Sequence, residues 1–427
     1  MPRLGFAWTP EMMHKRLVVR GAYGITSFLE GTGVNLRLPL NPPNFFESNQ
    51  NYDLTTGAAS ARVGFNDLPN FSGTLAGNIR TWDPDLRPQF TQQRNFSLEY
   101  ELTKNLIASA GYVSQRATHT IVARDRNQPL PGPSGVNPSL WANAQTRRPL
   151  YAVDPLVTTT ATTESSGRMN YDALQAQAKK RYSMGIDFGL SYTWSKAYND
   201  ALGFFGAGGV NSEGAYWQNA YDRRGNYGYA AWDNRHNVTL SSNMELPFGK
   251  GRKMGTNMSK PLDMVFGGWT LGYVMQGRTG FPITISTTGQ SQQSPRSTQR
   301  PNYLRPLTVT DRSIQRWFGT SGTAIECAQG TDNGTCAYQR PALGTFGNAS
   351  IATERAPAFF NADVSIGKSF AVREGQHLDF RAEFFNLANM TMFNPPARDV
   401  SSPGTFGLIS GQANNPRNIQ FGLKYIF

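Results

Sequence analysis

The segments that connect the predicted strands of this chain alternate strictly between short and long. The short ones lie near 10–15, 103–104, 183–184 and 372–376, and 247–266 is intermediate. The long ones span about 26–89, 117–167, 198–232, 283–358 and 386–416. A soluble sandwich has no reason to keep its long loops at one end. A sheet that crosses a bilayer has short turns on one rim and long loops on the other.

Eleven strand-like runs define these connections. They lie at about 3–9, 16–25, 90–102, 105–116, 168–182, 185–197, 233–246, 267–282, 359–371, 377–385 and 417–427. Many reach the roughly 9–11 residues with which a tilted strand crosses a bilayer. Because short and long connections alternate along the chain, the last strand ends at the rim that carries the short turns, and the C-terminus lies there.

The last run, 417–427, has one apolar face and one polar face. Successive side chains of a strand point to opposite faces, and only Ile426 breaks the alternation. The apolar face consists of Ile419, Phe421, Leu423, Tyr425 and Phe427. Such a strand requires an apolar environment on one side, which a bilayer or the interior of a soluble sandwich would supply.

The run 172–181, D-A-L-Q-A-Q-A-K-K-R, is ambiguous. It contains good helix formers and a possible cap at Asn170 or Asp172. It also alternates as a strand, and only a very short turn separates it from the clear strand at 185–197. We therefore predict a strand.

Composition agrees with a membrane sheet but does not require one. Charged residues make up 16% of the chain and aromatic residues 12%, and there are 43 glycines. No stretch of about 18 apolar residues predicts a transmembrane helix. We predict an all-β fold, an antiparallel transmembrane outer-membrane β-barrel. A secreted β-rich binding protein is the alternative, and the apolar faces at 186–194 and 419–427 argue against it.

The net charge of +12 arises from 41 basic and 29 acidic residues. The basic residues are scattered, with no basic helix or zinc-finger spacing, so we predict no nucleic-acid partner and expect them to face lipid headgroups or solute. Cys327 and Cys336 flank a polar, turn-forming segment. A loop disulfide outside the cytoplasm is predicted; half of a zinc site is the alternative, but no second pair completes it.

No linear catalytic motif is present, and we predict neither an enzyme nor a cofactor. Asp233, Arg235 and His236 lie close together at a predicted strand start, either as a polar rim cluster or as a catalytic group. One long loop offers possible ligand contacts, although its aromatic residues could instead pack the loop over the barrel. These residues are Tyr216, Trp217, Tyr221, Arg223 and Arg224.

An odd number of strands conflicts with a closed barrel, because bacterial single-chain barrels have even numbers. An open sheet would also expose two unpaired edges to lipid. Either a strand has been missed or the chain is part of a larger barrel. The N-terminus, M-P-R-L-G-F-A-W, contains no signal peptide, which favours the larger barrel.

An ordered set of motifs resembles the C-terminal barrel part of Oar-like TonB-dependent receptors. The set spans nearly the whole chain: P-R-L-G-F-A-W (2–8), V-V-R-G-A-Y-G-I (18–25), Y-T-W-S-K-A (192–197), W-D-N-R-H-N (232–237), L-P-F-G-K-G-R (246–252), G-G-W-T-L (267–271), F-R-A-E-F-F-N-L-A-N (380–389) and P-R-N-I-Q-F-G-L-K-Y-I-F (416–427).

The resemblance implies an outer-membrane protein that captures a substrate and passes it across the membrane. Residues 1–427 would form roughly half of a 22-stranded barrel, without the plug or the regulatory-like domain of the family. The implied partners are outer-membrane lipid and lipopolysaccharide, the barrel-insertion machinery that reads the terminal aromatic strand, and the TonB system if a plug is supplied upstream. A structural or adhesive protein with ligand-binding loops is the alternative function.

Overall fold

Eleven strands follow one another as neighbours in one antiparallel sheet in the computed structural model of this chain. The structure describes residues 1–28, 38–41, 77–133, 136–137, 140–141, 143–201, 216–288, 299–319 and 326–427. Most of the long connection at 26–89 and the glycine-rich segment 202–215 lie outside these residues.

The eleven-strand sheet is called the wall. Its strands are β1 (Arg3–Trp8), β2 (Leu17–Phe28), β4 (Gln89–Thr103), β5 (Leu106–Asp125), β6 (Val157–Ser183), β7 (Ile186–Asn199), β9 (His236–Glu245), β10 (Trp269–Arg278), β16 (Phe359–Arg373), β17 (Gln376–Phe385) and β18 (Asn418–Ile426). Each pairs with the next in this order, so the wall is a simple meander.

Seven shorter strands lie in the long connections. They are β3 (Gly77–Trp82), β8 (Gly228–Tyr229), β11 (Pro282–Ile283), β12 (Asn302–Tyr303), β13 (Glu326–Cys327), β14 (Tyr338–Gln339) and β15 (Glu354–Arg355). β3 pairs with β6 and β8 with β7 at the long-loop end of the wall. The others form two small separate sheets.

Helical structure is sparse. One α-helix, α1 (Lys260–Phe266), lies between β9 and β10. Single 3₁₀ turns occur at Glu11–Met13, Leu38–Leu40 and Arg224–Asn226. Among the described helices, none combines the length and the apolar character that a membrane crossing requires.

The all-β prediction and all eleven predicted strands are confirmed. The ambiguous run 172–181 is part of β6, so its helical alternative is wrong. The tight turn after β6 explains why a strand is favoured there: Met184 and Gly185 have φ values of 53° and 79°. Positive φ at both central residues is the geometry of a two-residue hairpin turn whose twist matches that of the flanking strands.

The prediction that all of 117–167 forms a loop is wrong. β5 continues to Asp125 and β6 begins at Val157, so that β6 has 27 residues, far more than the roughly 9–11 that cross a bilayer. The added parts pair with each other and bury Ala117 and Val122. The wall therefore continues past the membrane into the loop region. The threonine-rich start of β6 is a sequence signal for this longer strand, because β-branched residues favour strands.

The described wall has two unpaired edges. β1 pairs with β2, β18 pairs with β17, and neither has a second neighbour among the described residues. The wall therefore has the odd number of strands that the sequence predicts.

Candidate functional site

Pairing register assigns each wall residue to one of two faces, because directly opposed residues of an antiparallel pair share a face. In the terminal pair, Leu423 lies opposite Phe380 and Phe421 opposite Ala382. Tracing such pairs from β18 to β1 yields one continuous apolar face, here called the outer face. It includes Leu4, Phe6, Trp8, Val19, Phe96, Leu98, Tyr112, Leu174, Leu190, Trp194, Leu240, Leu271, Ile366, Phe380, Phe421 and Leu423.

Much of the outer face is exposed. Phe421 and Leu423 are 70% and 68% exposed, and Phe6 and Trp8 are both 57% exposed. In water so large a contiguous apolar surface would drive association. In a bilayer it is the expected surface of the wall, with side chains alternating between lipid and lumen.

The opposite face, here called the inner face, is polar and carries small residues. On it an open groove of about 360 Å³ is lined by Asn243, Gly272, Ser365, Arg381 and Glu383, among others. A second groove of about 440 Å³ continues toward the short-turn rim. The Arg381 guanidinium contacts the Glu383 carboxylate at 2.5 Å. The inner face therefore offers charges, amides and hydroxyl groups to a polar solute.

The long connections fold together at one rim into a unit called the loop assembly, formed by the described parts of 126–156, 216–235, 279–358 and 386–417. Its core contains residues from two connections, and the rings of Phe318 and Phe406 stack with centroids 4.7 Å apart. The other core residues are Ile283, Ile285, Ala337, Tyr338 and Val400. Burial of this kind is the main source of folding free energy, so the assembly has a packed core of its own.

Buried amides join three of the long connections to one another. Gln218, only 3% exposed, donates from Nε2 to the carbonyl of Gly347 at 2.9 Å and accepts from the backbone N–H of Arg300 at 2.6 Å. Gln128 donates from Nε2 to the carbonyl of Gln218 at 2.9 Å and accepts from the N–H of Ala220 at 2.7 Å. Because buried polar groups are costly when unpaired, these contacts fix the relative positions of the connections.

Buried carboxylates near the long-loop end of the wall are paired with arginines. Glu164 is 1% exposed and pairs with Arg124 at 3.1 Å and with Arg126 at 2.8 Å. Elsewhere Asp200 pairs with Arg223 at 2.8 Å, and Asp233 with Arg355. Arg126 pairs in addition with Asp83 at 2.6 Å, and Arg355 donates to the carbonyl of Gly280 at 3.1 Å. Such additional hydrogen bonds help to offset the cost of burying charge.

The five predicted ligand contacts do not form one surface. Trp217 is 3% exposed and donates from Nε1 to the carbonyl of Asp200 at 2.7 Å, so a ligand cannot reach it in this conformation. Arg223 forms a salt bridge with Asp200, and the backbone of Tyr216 forms an isolated β-bridge with Ala123. Tyr221 and Arg224 remain exposed. These two are the members of the set that are most open to an external ligand, whereas Tyr216 and Arg223 are half-buried.

The two cysteines are joined in a disulfide, with Cα atoms 5.8 Å apart. Asp332 lies close to both sulfurs, but its carboxylate pairs with Arg305 at 2.6 Å. Since the sulfurs are bonded to each other, they are not available as thiolate ligands. The bridge clips the segment between β13 and β14 within the loop assembly.

Asp233, Arg235 and His236 have separate partners. Asp233 accepts from the N–H of Ala197 and pairs with Arg355. Arg235 donates to the Tyr229 hydroxyl at 3.2 Å, and His236 Nδ1 lies 2.7 Å from the Tyr192 hydroxyl. The three side chains thus serve three different contacts instead of one reaction centre, which favours the polar rim cluster.

The loop core and the buried glutamines were not predicted from the sequence. A glutamine in a loop has no sequence pattern that separates it from a solvated one. Lys368 is different, because it interrupts an alternating apolar series formed by Val364, Ile366 and Phe370. A cation at an outer-face position is a signal that could have been recognised.

Glu354 makes the loop assembly sensitive to pH. Burial raises the pKa of its carboxyl above the ordinary value of 4.5, and the hydroxyl of Tyr338 donates to it at 2.8 Å. A raised folded pKa means that the stabilising contribution is complete below pH 4.5 and is lost as the pH rises through the folded value. We therefore expect the loop assembly to become less stable as the pH increases from 4.5.

Glu354→Gln should flatten this dependence, since the amide stays neutral and can still accept from Tyr338. The readout is hydrogen exchange of the Ala356 amide, which bonds the carbonyl of Phe281 at 2.9 Å. Glu374→Gln, at an exposed site in the β16–β17 turn, serves as the control and should leave the dependence unchanged. An equally steep pH dependence in the Glu354→Gln protein would contradict the assignment to Glu354.

Comparisons with known proteins place this geometry in context. The family model described as outer membrane beta barrel domain matches residues 1–420. No curated protein matches the chain. Among solved structures, the outer membrane transporter YddB from Escherichia coli is similar at 11% identity and a TM-score of 0.47, over 96% of this chain and 38% of that one.

Two further solved structures are similar. The ferripyoverdine receptor of the Pseudomonas aeruginosa outer membrane has 10% identity and a TM-score of 0.42, over 100% of this chain and 33% of that one. The FrpB iron transporter from Neisseria meningitidis has 10% identity and a TM-score of 0.40, over 99% and 38%. The chain thus spans between 33% and 38% of the length of these three structures.

Proposed function

This chain belongs to the outer membrane beta barrel domain family, and from that membership we propose that it is part of a transport barrel. The protein resides in the Gram-negative outer membrane. In the proposed function, the loop assembly captures a substrate at the cell surface, and the polar inner face lines its passage. The observation that carries the proposal is the inner face, where Arg381, Glu383 and Asn243 border open grooves.

We further propose that residues 1–427 form the C-terminal portion of an Oar-like TonB-dependent receptor barrel. The unpaired edges of β1 and β18 support this, because exposed backbone N–H and C=O groups are costly in lipid. Additional strands would pair with both edges and close the barrel. A plug supplied by the same larger protein would couple it to the TonB system.

Two other partners belong to the proposal. The outer-face residues of β18, together with Phe427, would present the terminal strand to the barrel-insertion machinery; Phe427 is 91% exposed. Lipopolysaccharide would meet the outer face near the long-loop rim, where Arg94 lies over the ring of Tyr23 at 5.9 Å. Cations and aromatic rings suit a phosphorylated, amphipathic headgroup.

Closure can be tested by expressing residues 1–427 behind an outer-membrane signal, alone and joined to the strands encoded upstream. The proposal predicts that only the joined protein migrates heat-modifiably and resists protease. If residues 1–427 alone form a heat-modifiable, protease-resistant barrel, the proposed larger barrel is wrong.

Transport can be tested without knowing the substrate. A deletion strain should leave in the medium at least one compound that the parent strain depletes, and the complete gene should restore its uptake. Tyr221→Ala and Arg224→Ala should reduce that uptake if these exposed loop residues contact the substrate. Arg316→Ala, an exposed site elsewhere in the loop assembly, is the matched control. Identical depletion profiles in the deletion and parent strains would contradict transport.

A structural or adhesive role is the second candidate, and the packed core and disulfide of the loop assembly favour it. A rigid external unit can hold a surface or polymer without passing anything inward. This role predicts unchanged uptake in the deletion strain together with lost surface attachment, so the same strains separate the two functions.

A further inference from the structure

The connection between β9 and β10 differs from the other short-rim connections because it contains α1. The helix begins after Ser259, has Pro261 in its first turn, and ends before Gly267. Proline suits the first turn, where its missing N–H has no intrahelical partner. The carboxylate of Asp263, within α1, accepts a hydrogen bond from the N–H of Lys250 at 2.6 Å. This contact ties the helix to the start of the β9–β10 connection.

Two outer-face residues hold α1 against the wall. Trp269 and Lys368 lie directly opposite each other in the β10–β16 pair, and Lys368 is also opposite Phe380. Trp269 Nε1 donates to the carbonyl of Val265 at 2.8 Å. Because both side chains belong to the outer face, α1 lies on the lipid-facing side of the wall at the short-turn rim.

Lys368 caps the C-terminal end of α1. Its ammonium donates to the carbonyls of Met264 at 2.6 Å and Gly267 at 2.5 Å, and it lies 5.0 Å from the ring of Phe370. A cation favours the negative end of a helix dipole. The helix covers this outer-face cation, which is only 7% exposed, and the cation in turn orients the helix.

Held in this way, α1 exposes a strongly apolar surface. Leu262 is 51% exposed, Met264 61%, and Val265 and Phe266 57% each. Leu262, Val265 and Phe266 are spaced three and four residues apart and therefore share one side of the helix.

The same connection also carries basic residues. Lys250, Arg252, Lys253 and Lys260 are exposed, and Arg252 pairs with Glu245 at 2.5 Å. Among the described residues, none of the three lysines contributes its ammonium to a salt bridge. Exposed apolar side chains and three lysines without a salt bridge, in one connection at the edge of a membrane wall, match the chemistry of an anionic phospholipid surface.

We propose that α1 is an interfacial anchor for anionic phospholipid at the short-turn rim. Leu262, Val265 and Phe266 enter the boundary between headgroups and acyl chains, and Lys250, Lys253 and Lys260 bind lipid phosphates. Lys368 is a positioning residue that keeps the helix on the lipid side. The proposal rests on the outer-membrane location of the protein and not on transport, so a failed transport test would leave it standing.

The test uses the full chain, extracted from outer membranes with any additional strands of its natural protein, in bilayer discs. One set of discs contains phosphatidylethanolamine alone, and the other also contains phosphatidylglycerol. A spin label on Val265→Cys should report a depth at the headgroup–acyl boundary. In the mixed discs, the protein should retain phosphatidylglycerol in preference to phosphatidylethanolamine through purification.

Lys250→Gln/Lys253→Gln/Lys260→Gln should lower the retained phosphatidylglycerol roughly tenfold, given the attraction between basic residues and an anionic surface. Lys15→Gln/Lys104→Gln/Lys179→Gln removes the same charge from other turns and strand ends of this rim and should change retention less than twofold. Lys368→Met should make the label at position 265 mobile, whereas Lys368→Arg should restrain it.

A label at position 265 that is fully accessible to a water-soluble relaxation agent, or equal retention by the two triple variants, would overturn the proposal. Should a variant fail to assemble, the label depth in the otherwise unchanged protein still decides the question.

Discussion

Replacing Phe421 and Leu423 together by arginine should abolish assembly of the protein into the outer membrane. Both side chains lie on the outer face near the middle of β18 and are 70% and 68% exposed. An arginine on the lipid face of a barrel costs about 2–4 kcal/mol near the bilayer midplane. Two such charges in one edge strand cost roughly 4–8 kcal/mol together, which is comparable with the whole free energy of unfolding of a typical domain, about 5–15 kcal/mol.

The measurement is the fraction of protein that is protease-resistant and heat-modifiable in outer-membrane preparations. The matched control is Gln420→Arg/Gly422→Arg, which adds the same two charges to the inner face of the same strand. Gln420 neighbours Glu383, and a Cβ at Gly422 meets no atom within 4 Å. The control should assemble almost normally. If both double variants failed equally, charge alone and not the face would explain the loss.

Asp233→Ala should loosen the loop assembly where it meets the wall. Asp233 has a fully buried side chain; it accepts from the N–H of Ala197 at 2.6 Å and pairs with Arg355, which is part of β15. Removing one partner of a buried pair costs about 3–5 kcal/mol. Because the Arg355 side chain is 30% exposed and water can partly solvate it, we expect roughly 2–4 kcal/mol.

This loss should appear as rapid proteolytic nicking between β10 and β16 under conditions in which the wall stays intact. Asp233→Asn keeps an acceptor for Ala197 and should lose less. Asp222→Ala, in an exposed turn where the carboxylate accepts from the N–H of Arg224 at 3.0 Å, should leave the nicking rate unchanged. Combining Asp233→Ala with Arg355→Ala should cost less than the sum of the single variants, and strict additivity would show that the pair is not coupled.

The structure also explains which predictions were accessible from the sequence. The alternation in 185–197 and 417–427 is a local property, since the period of two follows from strand geometry whatever the strand packs against. The strand set, the apolar face of β18 and the helix-or-strand decision at 172–181 were therefore correct. The extended ends of β5 and β6 were missed because their alternation is weak and their pairing lies beyond the membrane.

The burial of the loop residues could not be predicted from local sequence patterns. Trp217 resembled a ligand contact because an aromatic residue in a polar loop has the same sequence pattern whether it is exposed or buried. Its burial depends on Asp200 and Arg124, which lie in other segments of the chain. Only the folded structure distinguishes Trp217 from the exposed Tyr221.

Sequence alone determined that this chain forms an antiparallel sheet with one apolar face, because period-two alternation is encoded over a few neighbouring residues and the lengths of the connections are read directly along the chain. Only the tertiary structure decided what the long connections do and where α1 lies. The contacts of Gln218 with Gly347 and of Lys368 with Gly267 join residues that are 129 and 101 positions apart. Contacts of that range leave no periodic trace in the sequence, so they become visible only when the sheet has brought the segments together.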